Sequence, residues 1–364
     1  MLGGRKTLTL NYDWLIYKST NMASLNYTKR LANLQERKFD RELNKSLLTE
    51  SFSSRDIPEN VKYLIESMRP IDQKYNSRTI DAANRVQKHL QDGYKLHFNR
   101  AYRTQGSVKT ATNIKVHSDF DLLTIIDRYN FNAPGIPNEY DYTASNPDDD
   151  ILELRTQSVK ILKSIYDEVD DSGDKSISIF NKSLNRKVDI VFCFWYHIEK
   201  YIKTKNEFYR GIYLYNFPTK RKEKDFPFAH ISNVNTKGDN TSDGSRRGIR
   251  LLKTLRADSD NDLKALKSFH LTTIVHSIPN PNLNYSSGNE INIAKAISDE
   301  MKKLIDDSDY RKQVKSPNGT ETPLGGDETV SEIKLLKGDL DTLIEDSAKE
   351  IFNSQVVKKA ILNY

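Results

Sequence analysis

The chain of 364 residues contains a single cysteine, Cys193, set inside an apolar run. No intramolecular disulfide can form, and such cysteine usage points to the reducing cytoplasm. Long hydrophobic runs are also missing. The stretch from Val188 to Tyr196 is interrupted by Asp189 and is far too short to span a bilayer, so no membrane partner is expected. The first residues lack the basic, apolar and small-residue layout of a secretory signal. Strong charge of one sign is absent as well: 56 basic against 50 acidic residues leave a formal net charge of +6. This falls short of the electrostatic footprint of a dedicated DNA-binding protein, so a nucleic-acid partner is not expected. It leaves room for a basic cleft that receives a polyphosphate.

Hydrophobic residues make up 37% and charged residues 29%, an ordinary globular balance. A chain of this length can bury one large core, or two smaller ones across a cleft. Residues 1–21 show no period and precede Met22, and are expected to be a dispensable or disordered extension. From Leu25 the pattern becomes helical. Residues 77–94 read as a long amphipathic helix capped by Ser77, with Ile80, Ala83, Val86 and Leu90 on its stripe. Short strands follow. Asp119 to Ile126 alternates, and residues 133–149 read as a loop ahead of a helix whose acidic start, 148–150, suits the helix dipole. Ser176–Phe180 and Val188–Tyr196 read as a hairpin, and the second strand, apolar on both faces, should be central. Residues 219–224 read as a solvated loop. Residues 245–257, 262–278, 291–306 and 328–352 read as helices. The expected fold is α+β and two-lobed. A mixed-sheet lobe with a long spine helix would span 22–215, and a helical C-terminal lobe 216–364.

Three short segments carry chemistry. Gln105-Gly106-Ser107 follows a strand-like segment, and a Gly-Ser turn lets backbone amides and a hydroxyl approach phosphate oxygens. In His117-Ser118-Asp119-Phe120-Asp121, two aspartates two apart on a strand project from one face, roughly 6–7 Å apart. Such a pair can grip hard cations through oxygen, as magnesium requires, and costs desolvation without a cation. Asp189, in Lys187-Val188-Asp189-Ile190-Val191-Phe192, is the lone acid of a strongly apolar strand. If that strand lies beside Asp119–Ile126, Asp189 completes a three-carboxylate site for two metals. Otherwise it is a carboxylate at the strand's solvent end. His117 reads as a loop histidine beside the site rather than a base.

QGS, SDFDLL and VDIVF in this order, with a helix between the last two, resemble the polymerase-beta-like nucleotidyltransferases. Within these the chain is similar to the bacterial branch related to cyclic GMP-AMP synthase, the CD-NTases of anti-phage defence. The match runs from about residue 75 to 280. The resemblance implies catalytic and metal-holding roles for Asp119, Asp121 and Asp189, with two Mg2+ ions, or Mn2+ in their place. It implies nucleotide contacts at Gln105, Gly106 and Ser107. In Gly248-Ile249-Arg250-Leu251-Leu252-Lys253 it assigns Lys253, and more weakly Arg250, to the triphosphate. By pattern alone this is an amphipathic helix with Leu251, Leu252 and Leu255 buried and Arg246, Arg250 and Lys253 on a basic outer side. At Ser268-Phe269 the resemblance implies a phosphate contact and an aromatic ring stacked on the donor base, while the pattern equally allows Phe269 a place in the core. The zinc-bound insertion of animal members is not expected, because seven histidines and one cysteine form no cluster of ligand spacing.

The function implied is joining of ribonucleoside triphosphates into a cyclic di- or trinucleotide with release of pyrophosphate. The product would activate a separate effector, and a regulatory protein partner is compatible with such a system. Two other readings stand beside it. One is nucleotidyl transfer to an RNA end or a protein, and the other an inactive nucleotide-binding homologue. The acidic cluster weighs against inactivity, and the modest charge against an RNA substrate.

Overall fold

The structure is a computed structural model that describes residues 25–39, 57–118, 120–137, 145–354 and 357. The expected extension at 1–21 and the aspartate at 119 lie outside the described residues. Helix α1 spans Tyr27–Lys38, α2 Glu59–Met68 and α3 Gln73–Gly93. Strands β1 (Arg100–Gln105) and β2 (Asp121–Asn132) follow, then α4 (Pro147–Lys163), β3 (Val169–Asp170), β4 (Ser176–Asn181) and β5 (Arg186–His197). After the short α5 (Glu199–Thr204) come β6 (Arg210–Asn216) and β7 (Arg221–Asp225). The remainder is helical: α6 (Pro227–Asn240), α7 (Gly244–Asp258), α8 (Ser268–Ser277), α9 (Glu290–Asp306), α10 (Ser308–Gln313) and α11 (Asp327–Asn353).

The seven strands form one mixed sheet centred on β5. The parallel neighbour of β5 is β2; its other edge pairs antiparallel with β4 through residues 186–191 and with β6 through 193–197. A strand flanked on both edges and covered on both faces can be apolar throughout, and β5 is. Alternation along β2 and β5 splits their side chains between two layers. Phe120, Leu122, Ile190, Phe192 and Phe194 pack against Ala83, Val86 and Leu90 of α3 and Ile151 and Leu154 of α4. Leu123, Ile125, Val191, Cys193 and Trp195 form a smaller cluster on the opposite face. The spine helix starts earlier than Ser77: the Asp72 side chain caps it by accepting from the Lys74 N–H, and Ile80 lies on its exposed side. Asn146 caps α4, with Pro147 at its first position and Asp148 to Asp150 in its first turn.

A second core joins α1 and α2 to the C-terminal helices, with Leu34, Tyr63, Leu64 and Met68 among Leu251, Leu252, Leu255, Ile274, Ile297 and Leu340. Helices α1 and α2 therefore pack with the helical part and not with the sheet that follows them in sequence. Asp258, at the end of α7, is the polar joint of that core. Its carboxylate accepts from both terminal nitrogens of Arg37 (2.7 and 2.6 Å), from Asn33 Nδ2 (3.2 Å) and from the Tyr63 hydroxyl (2.8 Å). Among the described residues no helix is long and apolar enough to cross a membrane.

Two segments differ from their sequence-based reading. Residues 221–225 form an edge strand on β6, not a loop. Ladder hydrogen bonds need no apolar side chains, and lysines are a common way to keep an edge from further pairing. The helix expected from 262 begins at Ser268, because the Ala265 and Leu266 amides donate to Glu332 on α11 instead of closing a helical turn. Asp258→Ala should strand the Arg37 guanidinium and lower unfolding free energy by about 3–5 kcal/mol. Urea denaturation of the variant against the parent protein checks this.

Candidate active site

β1 ends on Gln105, which lies opposite Asp121 in the ladder and donates from Nε2 to its carboxylate at 3.0 Å. Gly106 follows with φ of 109°, a conformation side-chain-bearing residues rarely adopt. The turn after it is closed by Lys109 N–H donating to the Gly106 carbonyl (3.1 Å) and Thr112 N–H to the Ser107 carbonyl (2.9 Å). Chain reversal at the Gly-Ser pair thus sets Gln105, Gly106 and Ser107 on the rim of a cleft.

In the parallel ladder Asp121 is the direct partner of Asp189. Both belong to the alternation that also carries Leu123 and Val191, so the two carboxylates share one face of the sheet. Asp189 is only 15% exposed and accepts from the Ser178 hydroxyl and from Lys187 Nζ (3.1 Å to Oδ1, 3.2 Å to Oδ2). Together with Asp121 this makes an oxygen-only donor set, the chemistry a hard divalent cation takes. His117 is turned to the Asn185 carbonyl, 3.0 Å from Nδ1, and stays exposed.

The opposite wall comes from α6, α7 and α8. Lys253 Nζ donates to the carbonyl and hydroxyl of Thr112, both at 3.2 Å. Burial pushes its ammonium down to about 8, and the neighbouring Arg250 charge adds to the shift. Arg250 is elsewhere: only 1% exposed, it donates to the Met68 carbonyl (2.6 Å), the Ala111 carbonyl (2.6 Å) and Asp243 (2.6 Å). It is a clamp between α2, α7 and the Gly-Ser loop and does not line the cleft; the outer basic face read from helical spacing is corrected accordingly. The spacing located its side of the helix, but not the carbonyls that cover it. Ser268 opens α8 on an exposed rim, and Phe269 is half-buried, its ring stacked on His230 with centroids 5.7 Å apart and planes inclined by 26°. Burial, helped by Lys253 and His276, pushes the His230 imidazole down to about 4, so it is neutral at physiological pH.

Gln105, Gly106, Ser107, Asp121, Lys253, Ser268 and Phe269 line one cleft of about 750 Å³. Asp121 and the helical lysine, predicted from separate stretches of sequence, therefore face a common space large enough for nucleotides, while Asp189 stands beside Asp121 in the ladder and is not among the residues that line it.

No family model matches the chain. It is 30% identical over 312 residues to the cyclic dinucleotide synthase CdnE of Yersinia aleksiciae, covering 84% of this chain and 81% of that protein. It is 34% identical over 287 residues to a c-di-GMP synthase of a Lachnospiraceae bacterium, covering 71% and 81%. The chain belongs to the CdnE cyclic dinucleotide synthases, a group of CD-NTases. Its fold matches that of the STING-associated CdnE c-di-GMP synthase from Capnocytophaga granulosa, with a TM-score of 0.76, 28% identity, and coverage of 90% of this chain and all of that one. The resemblance read from QGS, SDFDLL and VDIVF thus led to the right family.

Several cleft residues escaped the sequence reading. Asp225, at the end of the edge strand, and His230 on α6 lie between 224 and 245, a stretch to which the sequence reading assigned no element. The signal available was Phe226-Pro227, since proline at a first helical position marks a helix start. Asn318 and Glu321 come from a loop that Asn233 of α6 holds through the Pro317 carbonyl at 2.7 Å, a contact sequence spacing does not encode. A further group, His97, Asp150 and Glu153, converges outside the cleft with ligand atoms within 4.8 Å. There Asp150 accepts from Ser145 at 2.9 Å and from Tyr129 at 2.5 Å, ordinary partners at a helix start.

Because Gly106 holds a positive φ, Gly106→Ala should cost about 1–3 kcal/mol from backbone strain alone. A lowered thermal midpoint checks this, and an unchanged midpoint would show that the turn relaxes freely.

Proposed function

We propose that this protein condenses ribonucleoside triphosphates into a cyclic dinucleotide, releasing pyrophosphate at each bond formed. The observation that carries the reading is the pairing of Asp121 with Asp189 on one sheet face, beside a cleft that also holds the Gly-Ser turn, Lys253, Ser268 and Phe269. The named activity of the relatives supports a cyclic product over transfer to RNA or protein.

Asp121 and Asp189, with Asp119 by family resemblance, would hold two magnesium ions, or manganese in their place. Held there, the ions supply Lewis-acid activation of a sugar hydroxyl and charge neutralisation at the triphosphate. Gln105 and Ser178 hold Asp121 and Asp189 in place by hydrogen bonds. Backbone amides of the Gly-Ser turn, the Ser268 hydroxyl and the Lys253 ammonium bind phosphate oxygens, and Phe269, backed by His230, offers a ring face to a base. The enclosed cleft favours a bound hydroxyl over water as nucleophile. The product would signal to a separate effector in anti-phage defence, in keeping with the STING association of the Capnocytophaga protein. The compartment would be the cytoplasm.

The test is incubation of the purified chain with all four labelled triphosphates and magnesium, followed by mass analysis. The expected product is small, free of terminal phosphates and resistant to phosphatase. Asp121→Ala with Asp189→Ala should keep the fold and lose at least about a hundredfold in turnover, because several kcal/mol of transition-state stabilisation goes with the ions. Label found only in RNA or a partner protein would favour the macromolecular acceptors instead.

Lys253 gives the reading a pH signature. With its ammonium pushed down to about 8, it is charged below that pH and neutral above it. Affinity for a non-hydrolysable triphosphate analogue should therefore fall as pH rises through 8, by up to about tenfold per unit. Lys253→Arg, which stays charged, should flatten the profile. Calorimetric titration on both sides of pH 8 measures it.

A further inference from the structure

Lys187 stands two residues before Asp189 on β5 and, by strand alternation, on the same face of the sheet. Its Nζ spans the carboxylate, 3.1 Å from Oδ1 and 3.2 Å from Oδ2. The lysine is exposed while Asp189 is largely covered, so the cation is the more accessible member of the pair. Ser178, opposite Asp189 on β4, donates its hydroxyl to the same carboxylate. The two donors differ in kind. Ser178 is neutral and orients Asp189 without altering the charge around it. Lys187 brings a full positive charge to the same oxygens that a divalent ion would take.

An ammonium across both oxygens of a carboxylate and a divalent ion on those oxygens exclude each other. Both need the same lone pairs, and the two cations repel at close range. At 3.1 Å the lysine charge acts well inside the Debye length of about 8 Å at physiological ionic strength. A bare divalent ion must therefore displace Lys187 and then bear its repulsion. An ion chelated by a triphosphate arrives with net negative charge, and the same ammonium attracts that complex.

We propose that Lys187 selects how the metal is loaded: it disfavours bare divalent cations at Asp189 and favours their entry as the triphosphate complex. This rests on the reading of Asp121 and Asp189 as metal-holding carboxylates, but not on the product being cyclic. Lys187 enters as a positioning residue that acts through Asp189 and the local charge, not as a metal ligand. The sign of its effect separates this role from a structural one. Loss of a lysine that merely held Asp189 in place would weaken bare-metal binding, whereas loss of a competitor strengthens it.

The test measures Mn2+ binding to the full chain by electron paramagnetic resonance of the free ion, with no nucleotide present. The Asp121→Ala, Asp189→Ala double variant supplies the background from sites elsewhere, such as the His97, Asp150 and Glu153 group. Lys187→Met, of similar length but uncharged, should tighten aspartate-dependent Mn2+ binding about tenfold. Lys187→Arg, which keeps the charge, should stay within about threefold of the parent protein. With the Mn2+ complex of a non-hydrolysable triphosphate analogue the sign reverses, and Lys187→Met should bind about threefold more weakly or worse. Thermal midpoints show whether the variants fold, and should Lys187→Met fail, Lys187→Gln carries the same comparison. Bare Mn2+ affinity that is unchanged or weakened without the lysine charge would overturn the proposal. So would tightening by Lys187→Arg equal to that by Lys187→Met, or binding of the triphosphate complex that ignores Lys187. Mn2+ binding that needs the two aspartates but is blind to Lys187 counts against the proposal alone. Mn2+ binding that does not need the aspartates counts against the metal reading as well.

Discussion

The candidate site depends on the register of one parallel strand pair. Asp121 meets Asp189 because β2 and β5 align at that residue, and the same alignment seats Leu122 on Ile190 and Leu123 on Val191. A slip of one residue would turn every side chain of one strand to the other face. Here a slip would bury a carboxylate among Phe120, Phe192 and Phe194 and expose the phenylalanines in exchange. The hydrophobic layers on both faces thus fix the carboxylate pair as a by-product of their own packing. The acids add nothing to that packing. They are tolerated because Gln105, Ser178 and Lys187 supply donors to their oxygens.

Helix α7 connects this arrangement to the helical core. On one side it contributes Leu251, Leu252 and Leu255 to the packing of α1, α2 and the C-terminal helices. On another, Arg250 and Lys253 donate to successive residues of the loop after the Gly-Ser turn, Ala111 and Thr112. At its end Asp258 holds Arg37, a cleft-lining residue of α1. One rigid element therefore fixes the distance between the sheet-borne turn and the helical wall. That distance decides whether a triphosphate can touch both. The charge balance is local: although the whole chain carries only a mild excess of positive charge, Arg37, Lys115, Lys253 and Arg256 line the cleft together with Asp121, Asp225 and Glu321. Charges of both signs in one cleft suit a ligand with an anionic tail and a hydrogen-bonding head.

Much of this was legible in the sequence, and the limits have physical causes. Period-two alternation in Asp119–Ile126 and an apolar run around Asp189 announced two strands and their acids, since each signal lies within a few consecutive residues. The three- and four-residue spacing of α7 and α9 announced helices for the same reason. Edge strand β7 was misread because its stability lies in main-chain pairing with β6, to which Arg221–Asp225 contribute only backbone groups. Arg250 was misplaced because helical spacing gives a direction on the helix and says nothing of what stands there.

By itself the sequence determined which segments could form strands and helices, where the acidic and Gly-Ser motifs fall, and the family they resemble. These are properties of short stretches of chain, set by backbone geometry and side-chain periodicity. Tertiary structure alone decided that Asp121 and Asp189 are direct neighbours, that Arg250 is a buried clamp while Lys253 reaches the cleft, and that Asp225, His230, Asn318 and Glu321 complete its walls. From Arg37 to Glu321 the residues that meet there span 284 positions in the chain. Their meeting follows from how the cores pack, and packing depends on the volume and shape of all the elements at once.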